Sequence, residues 1–139
     1  MRIYDTDILS DIFEGRGGER YEAVRKSQEP FFTTIVTVEE QLRGFLSVVK
    51  RASQSPSLFT LAAAYDSLSE YARKLARCEI LPYTITAHAM FKNLKHLQHK
   101  VGTRDLRIAC ICLAHDVTLV TRNKQDFEKV PNLKLDVWN

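Results

Sequence analysis

The sequence predicts an α/β domain with a central, mostly parallel sheet of about four to five strands, flanked by helices on both faces. Three observations predict it. Short runs rich in β-branched and aromatic residues alternate along the chain with longer stretches of helical periodicity. Some of those runs, such as Val117-Thr118-Leu119-Val120, have the apolar character of strands covered on both sides. Turn formers sit between the elements, at Gly15, Gly17 and Gly18 and again over Ser53-Gln54-Ser55-Pro56-Ser57. The 139 residues make one domain, 1–139, large enough for a hydrophobic core.

The elements are read in order. Residues 2–5 form a buried strand ending at Asp5-Thr6-Asp7, and Ile8-Leu9 and Ile12-Phe13 then repeat at helical spacing. Glu19 to Gln28 is a polar helix that Pro30 ends. Phe31 to Val36 reads as a second strand, and Thr37 as the N-cap of a helix over 38–51 with Leu42, Phe45, Leu46 and Val49 on one face. A long helix covers 58–76, and a short strand covers 78–83. One helix is expected over 84–98, before a turn at Val101-Gly102-Thr103. The stretch 106–114 is apolar nearly all round, which predicts a central buried helix. Val117 to Val120 is a buried strand ending at Thr121, 124–129 is a helical turn, and 133–138 is a last edge strand.

Composition excludes several classes. Hydrophobic residues make up 45% and charged residues 27%, as in ordinary globular proteins. No apolar run has the length of a membrane span, and Asp5 interrupts the opening apolar stretch, so neither an anchor nor a signal peptide is read and a cytoplasmic location is expected. The three cysteines, Cys78, Cys110 and Cys112, are an odd number without Cys-x-x-Cys spacing and read as small buried apolar residues. A net charge of +3 permits a nucleic-acid partner without requiring one. No phosphate-binding glycine loop, dinucleotide fingerprint or nucleophile elbow is present.

The informative residues are acids spaced far apart, each where a strand or helix begins or ends, namely Asp5, Glu40 and Asp105, together with the polar pair Asn123 and Asp126. In a parallel sheet these are the places that build a ligand site. Gathered together, such carboxylates repel one another unless a hard cation such as Mg²⁺ or Mn²⁺ sits among them. Each also has a local reading. Asp5 and Asp7 suit a turn or helix cap. Glu40 completes a capping box with Thr37. Asp105 complements the helix N-terminus it opens. Thr121 or Asn123 suits the cap of the short helix holding Asp126. Lys92, Lys95, His96, His99 and Lys100 form a basic stripe, with Arg104 and Arg107 beyond it, readable as a solvated face or as a phosphate-holding flank of the acids. His96 and His99 lack a third ligand nearby, so zinc is not read.

Taken in order, these segments resemble the PIN-domain ribonucleases, and among them the VapC-type toxins of toxin–antitoxin modules. The resemblance rests on Tyr4-Asp5-Thr6-Asp7-Ile8-Leu9, on Thr37-Val38-Glu39-Glu40-Gln41-Leu42-Arg43-Gly44, and on Gly102-Thr103-Arg104-Asp105-Leu106-Arg107-Ile108-Ala109. It is completed by Leu119 to Leu133 with the final Trp138. It spans the chain and implies a PIN-like fold. It further implies that Asp5, Glu40 and Asp105 bind Mg²⁺ or Mn²⁺, with Asn123 at the fourth site, Asp126 a helper, and Thr6, Asp7 and Thr121 supporting. Asp7 stands where the family usually has Asn, and Gln41 where it usually has Leu. The implied activity is endoribonuclease cleavage of tRNA, rRNA or mRNA by in-line attack of water, leaving a 5′-phosphate and a 3′-hydroxyl. Lys92, Lys95, Lys100, Arg104, Arg107, Arg122 and Lys124 are the candidates to position the RNA backbone. A small antitoxin and a second copy of the chain are the implied partners, the apolar stripes of 38–76 being available for either. Two other readings are a non-catalytic PIN fold that binds RNA or protein, and a haloacid-dehalogenase-like phosphatase. The phosphatase is suggested by Asp5-Thr6-Asp7 but lacks the later acidic pair.

Overall fold

The computed structural model describes residues 1–139. The order is strand β1 (Arg2–Tyr4), helices α1 (Thr6–Glu14) and α2 (Glu19–Lys26), strand β2 (Phe31–Thr34), helices α3 (Ile35–Ala52) and α4 (Leu58–Leu75), and strand β3 (Cys78–Leu81). Helix α5 (Ile85–Asn93), a 3-10 turn (Lys95–Leu97), and helices α6 (Gln98–Val101) and α7 (Thr103–His115) follow. Strand β4 (Thr118–Thr121), helix α8 (Lys124–Phe127) and strand β5 (Lys134–Val137) complete the chain.

All ladders are parallel, in the order β1-β4-β5 and, separately, β2-β3. Ile3 lies opposite Leu119, and Tyr4 opposite Val120. β2 runs beside β1 without a ladder. Thr33 Oγ1 instead donates to the Tyr4 carbonyl at 3.1 Å. The expected α/β architecture is therefore present, hydrogen-bonded as three strands plus two, with β5 on one outer edge.

Strand alternation divides the core between the two faces of the sheet. Ile3 and Leu119 join Phe91, the buried side of α7 and Phe127 in one cluster. Val120 and Phe31 join Ile8, Leu9, Ile12, Tyr21 and Trp138 in the other. Helices thus cover both faces. The central helix is α7, where Leu106, Ile108, Ala109, Cys110, Ile111 and Cys112 are all fully buried. Burying each of its larger aliphatic side chains contributes roughly 1.5–3 kcal/mol. Gly102 caps α7 with φ +95°, a left-handed-side conformation that a side chain would strain. No helix is long and apolar enough to cross a membrane.

Several expectations are corrected. The second strand ends at Thr34 rather than Val36, and Thr34, not Thr37, caps α3: its hydroxyl accepts from the Thr37 amide at 3.1 Å. The cap overrides the strand propensity of Ile35 and Val36. The helix expected over 84–98 breaks at Leu94, whose φ of −102° and ψ of 11° leave the helical region. Its amide bonds to the carbonyls of both Met90 and Phe91, and the chain continues as a 3-10 turn and then α6. The basic stripe from Lys92 to Lys100 is consequently spread over three segments instead of one helical face. Of the cysteines, Cys110 and Cys112 are buried but Cys78 is only half-buried, and all are free. Burial pushes their thiols up, to about 11 for Cys78 and Cys110 and about 12 for Cys112.

Candidate active site

The ends of β1, β2 and β4 meet at one edge, and hydrogen bonds between them assemble the acids. Asp5, 8% exposed, is the N-cap of α1: Oδ1 accepts from the Thr6 amide at 2.7 Å. Its Oδ2 accepts from the Thr121 hydroxyl at the end of β4, also at 2.7 Å. Asp5 is thereby fixed by its own helix and by the neighbouring strand.

Glu40 reaches the same place from α3. With Thr34 as the cap, Glu40 is free of the capping box, and its Oε2 accepts from the Thr6 hydroxyl at 2.6 Å. Beneath it, Thr37 Oγ1 lies 3.4 Å from Thr6 Oγ1 and 3.3 Å from Thr34 Oγ1, a buried hydroxyl relay between the ends of β1 and β2. From the other side, Asn123 Nδ2 donates to Asp126 Oδ2 at 3.0 Å and to Asp105 Oδ2 at 3.5 Å. The Asn123 amide in turn donates to Thr121 Oγ1 at 2.9 Å, and Asn123 Oδ1 caps α8 by accepting from the Asp126 amide.

The electrostatics follow from this crowding. Burial raises the Asp105 carboxyl to about 7, and the negative charges of Asp5, Glu40, Asp126 and Asp7 add to the effect. Burial also raises Asp5; the bonds from Thr121 and Thr6 oppose the rise, while Asp7 and Glu40 add to it. A cluster that holds protons this strongly favours positive charge among its oxygens. The donor set is carboxylates, hydroxyls and an amide, the oxygen chemistry of a hard cation. No three of its acids close around one point as ready-made ligands. That suits an ion held by one or two carboxylates with water in its remaining positions, as Mg²⁺ commonly is.

Sequence reasoning missed Asp11. It is 6% exposed, accepts from Arg16 Nε at 2.9 Å on Oδ1, and pairs with Arg122 at 2.8 Å through Oδ2. Arg122, a candidate for positioning the RNA backbone, is thus paired with a buried carboxylate while its side chain stays 42% exposed. A buried Asp on the apolar face of α1, six residues after Asp5, was the available signal. Gln41, singled out in the sequence as a departure, donates from Nε2 to Ser10 Oγ at 3.0 Å and accepts at Oε1 from Tyr71 OH at 3.0 Å. These bonds give the departure from the family's usual Leu a structural role, joining α1, α3 and α4. Beside them a groove of about 770 Å³ runs from Thr6 and Glu40 past Phe13 and Phe45 to Tyr71. Of the other basic candidates, Lys92, Lys95, Lys100 and Lys124 are exposed, Arg104 is half-buried, and Arg107 lies 5.6 Å over the Phe91 ring.

A parallel sheet with helices on both faces and acids gathered at its carboxyl edge defines the PIN architecture, and residues 3–133 match the PIN domain family. The chain belongs to the PIN-domain family. It is 35% identical over 69 residues to Ribonuclease VapC2 of Rickettsia felis, a match covering 47% of this chain and 52% of that protein, so the chain spans about half the length of the curated relative it matches. Its fold is similar to that in the crystal structure of VapBC2 from Rickettsia felis bound to a promoter DNA fragment, with TM-score 0.70, 20% identity, and coverage of 99% of this chain and 98% of that one. It is also similar to a toxin–antitoxin complex from Klebsiella pneumoniae, with TM-score 0.62, 20% identity, and coverage of 96% and 95%.

Proposed function

We propose that this chain is a VapC-type endoribonuclease and the toxin of a toxin–antitoxin module, dependent on Mg²⁺ or Mn²⁺. One observation carries the reading: Asp5, Glu40, Asp105, Asn123 and Asp126, from four distant segments, are tied into one hydrogen-bonded cluster at the sheet edge. Asp5 and Asp105 would hold the ion, with Glu40 oriented by Thr6 and the Asn123–Asp126 pair completing the surroundings. When bound, the ion supplies charge neutralisation and Lewis acidity at a phosphodiester. The protein supplies the rest. Thr121 and the Thr6 amide keep Asp5 in place, and the Thr34–Thr37–Thr6 relay orients Glu40. Asn123 keeps Asp105 and Asp126 at a fixed separation.

The groove beside Glu40 supports an antitoxin partner. It is apolar along Phe13, Phe45 and Tyr71 and carries carboxylates at Glu14, Glu40, Asp66 and Glu70, so an amphipathic segment with basic residues fits it.

The test is cleavage of total tRNA and ribosomal RNA by the purified chain with Mg²⁺, Mn²⁺ or EDTA, beside the Asp5→Ala protein. Discrete products that require the metal and vanish in the variant are expected. The second reading is a PIN fold that holds RNA without cutting it, to which the exposed Lys95 and Lys100 would contribute. It would be upheld by RNA binding without products in any metal, with binding lost on substituting Lys95, Lys100 and Arg104.

A further inference from the structure

Beyond the carboxyl ends of β2 and β3 is a second cavity, of about 390 Å³, lined by Ile35, Val36, Glu39, Tyr83, His88 and Arg107. We propose that it is a nucleobase pocket that selects the nucleotide beside the cleaved bond, preferring guanine. The proposal rests on the ribonuclease reading and adds its specificity.

The position is the first argument. Ile35 and Val36 directly follow β2, and Tyr83 lies two residues after β3, so the cavity lies at the carboxyl edge of the β2–β3 pair, the edge of a parallel sheet where ligands bind. Glu39 precedes Glu40 on α3, and Arg107 is two residues beyond Asp105 on α7. A nucleotide adjoining a phosphate at the acids can therefore place its base here.

The walls are the second. Tyr83 and His88 meet edge to face at 5.7 Å, and the Tyr83 hydroxyl lies 3.0 Å from His88 Nδ1. The His88 ring is parallel to Phe91 within 9° at 6.2 Å, and Phe91 is buried, so the imidazole rests on a fixed platform. Arg107 lies over the same Phe91 ring. Ile85, one turn before His88 on α5, is 92% exposed, a large apolar side chain left in water beside an exposed imidazole. Rings and guanidinium planes that accept a splayed base, with a cation for the adjoining phosphate, are the means by which proteins read single-stranded RNA.

The third argument is hydrogen bonding. Glu39 is an acceptor on the cavity wall, 3.4 Å from Arg43 and otherwise open to solvent. A carboxylate pairs with a base edge that offers N–H donors. Guanine offers the most on its Watson–Crick edge.

The experiment has two arms. Cleavage sites are mapped on a mixed-sequence RNA for the wild type and for the His88→Ala, His88→Phe and Glu39→Gln proteins, each checked for folding by circular dichroism. Wild-type cuts should cluster beside guanine, spread at least tenfold more evenly in His88→Ala, and keep their clustering in His88→Phe. Glu39→Gln should shift the preference away from guanine. In the second arm, fluorescence anisotropy in EDTA measures binding of labelled hexamers that differ only by one G, A, C, U or abasic position. The wild type should bind the guanine hexamer at least tenfold tighter than the abasic one, and His88→Ala should lose that margin. A wild type that cuts nothing sinks the ribonuclease reading, and the binding arm then decides the pocket by itself. Cleavage maps and hexamer affinities identical in wild type, His88→Ala and Glu39→Gln would overturn the pocket.

Discussion

The side of the molecule built on α7 and β4 and the hairpin of α3 and α4 use apolar residues in opposite ways. In α7 and β4, nearly every large apolar side chain is buried, and the charged groups at their ends are pressed into one cluster. In the hairpin, two helices of 18 residues each bury little: Val36, Val38 and Ala52 from one, Ala64 and Tyr71 from the other. Leu46 is 49% exposed, Leu58 89%, and Phe59 82%. A tightly packed scaffold holds like charges together, whereas the hairpin keeps apolar surface in reserve. The first arrangement suits the proposed chemistry and the second the proposed association.

The largest expected effect tests whether the hairpin has any anchor. Tyr71 is buried, stacks on Phe45 at 4.6 Å and bonds to Gln41. Tyr71→Ala should cost about 3–5 kcal/mol in urea unfolding, as large aromatic truncations do; a loss under ~1 kcal/mol would mean the hairpin packs independently of it. The second concerns the scaffold. Asp105→Asn should lower RNA cleavage by about 10²–10³-fold, comparable to losing one preorganised electrostatic group. An unchanged rate constant would remove Asp105 from the site.

A third expectation is the pH dependence of the metal-free protein. Asp105 keeps its proton in the folded state up to about 7, whereas the unfolded chain releases it near the ordinary carboxylate value of 3.8. Between those values the folded state binds more protons, so its stability falls as pH rises through that window and levels off above it. Melting temperature followed from pH 4 to 8 should show this decline, Asp105→Asn should flatten it, and Mg²⁺ should raise the melting temperature more at pH 8 than at pH 5. A melting temperature that rises across the window in the wild type alone would contradict the crowded-acid account. The smallest effect returns to the hairpin. Phe59→Ser should alter stability by no more than about 0.5 kcal/mol, as exposed positions do. The same change should weaken antitoxin binding at least tenfold by calorimetry. Equal affinities would place the partner elsewhere.

Much of the scaffold was legible because its signals are local. The apolar run ending at Asp5, the wholly apolar stretch after Asp105 and the strand ending at Thr121 each announce an element and its end. What stayed hidden depends on choices between near equivalents or on distant partners. Thr34 and Thr37 are both good caps, and only the fold decides between them; that decision frees Glu40 for Thr6. The break at Leu94 has no glycine or proline to mark it. The pairing of Arg122 with Asp11 joins β4's exit to α1 across most of the chain, where local patterns carry no information. The gap in hydrogen bonding between β1 and β2 is likewise a tertiary outcome.

That pairing has a mechanical consequence. Thr121 grips Asp5 at the start of α1, and the next residue, Arg122, grips Asp11 nearly two turns further along the same helix. A helix bolted at one point can swivel, but bolted at two it can neither roll nor slide along the strand end. The carboxylate at the head of α1 therefore keeps its bearing against the strand end, held in place along two axes by consecutive residues of the β4 exit.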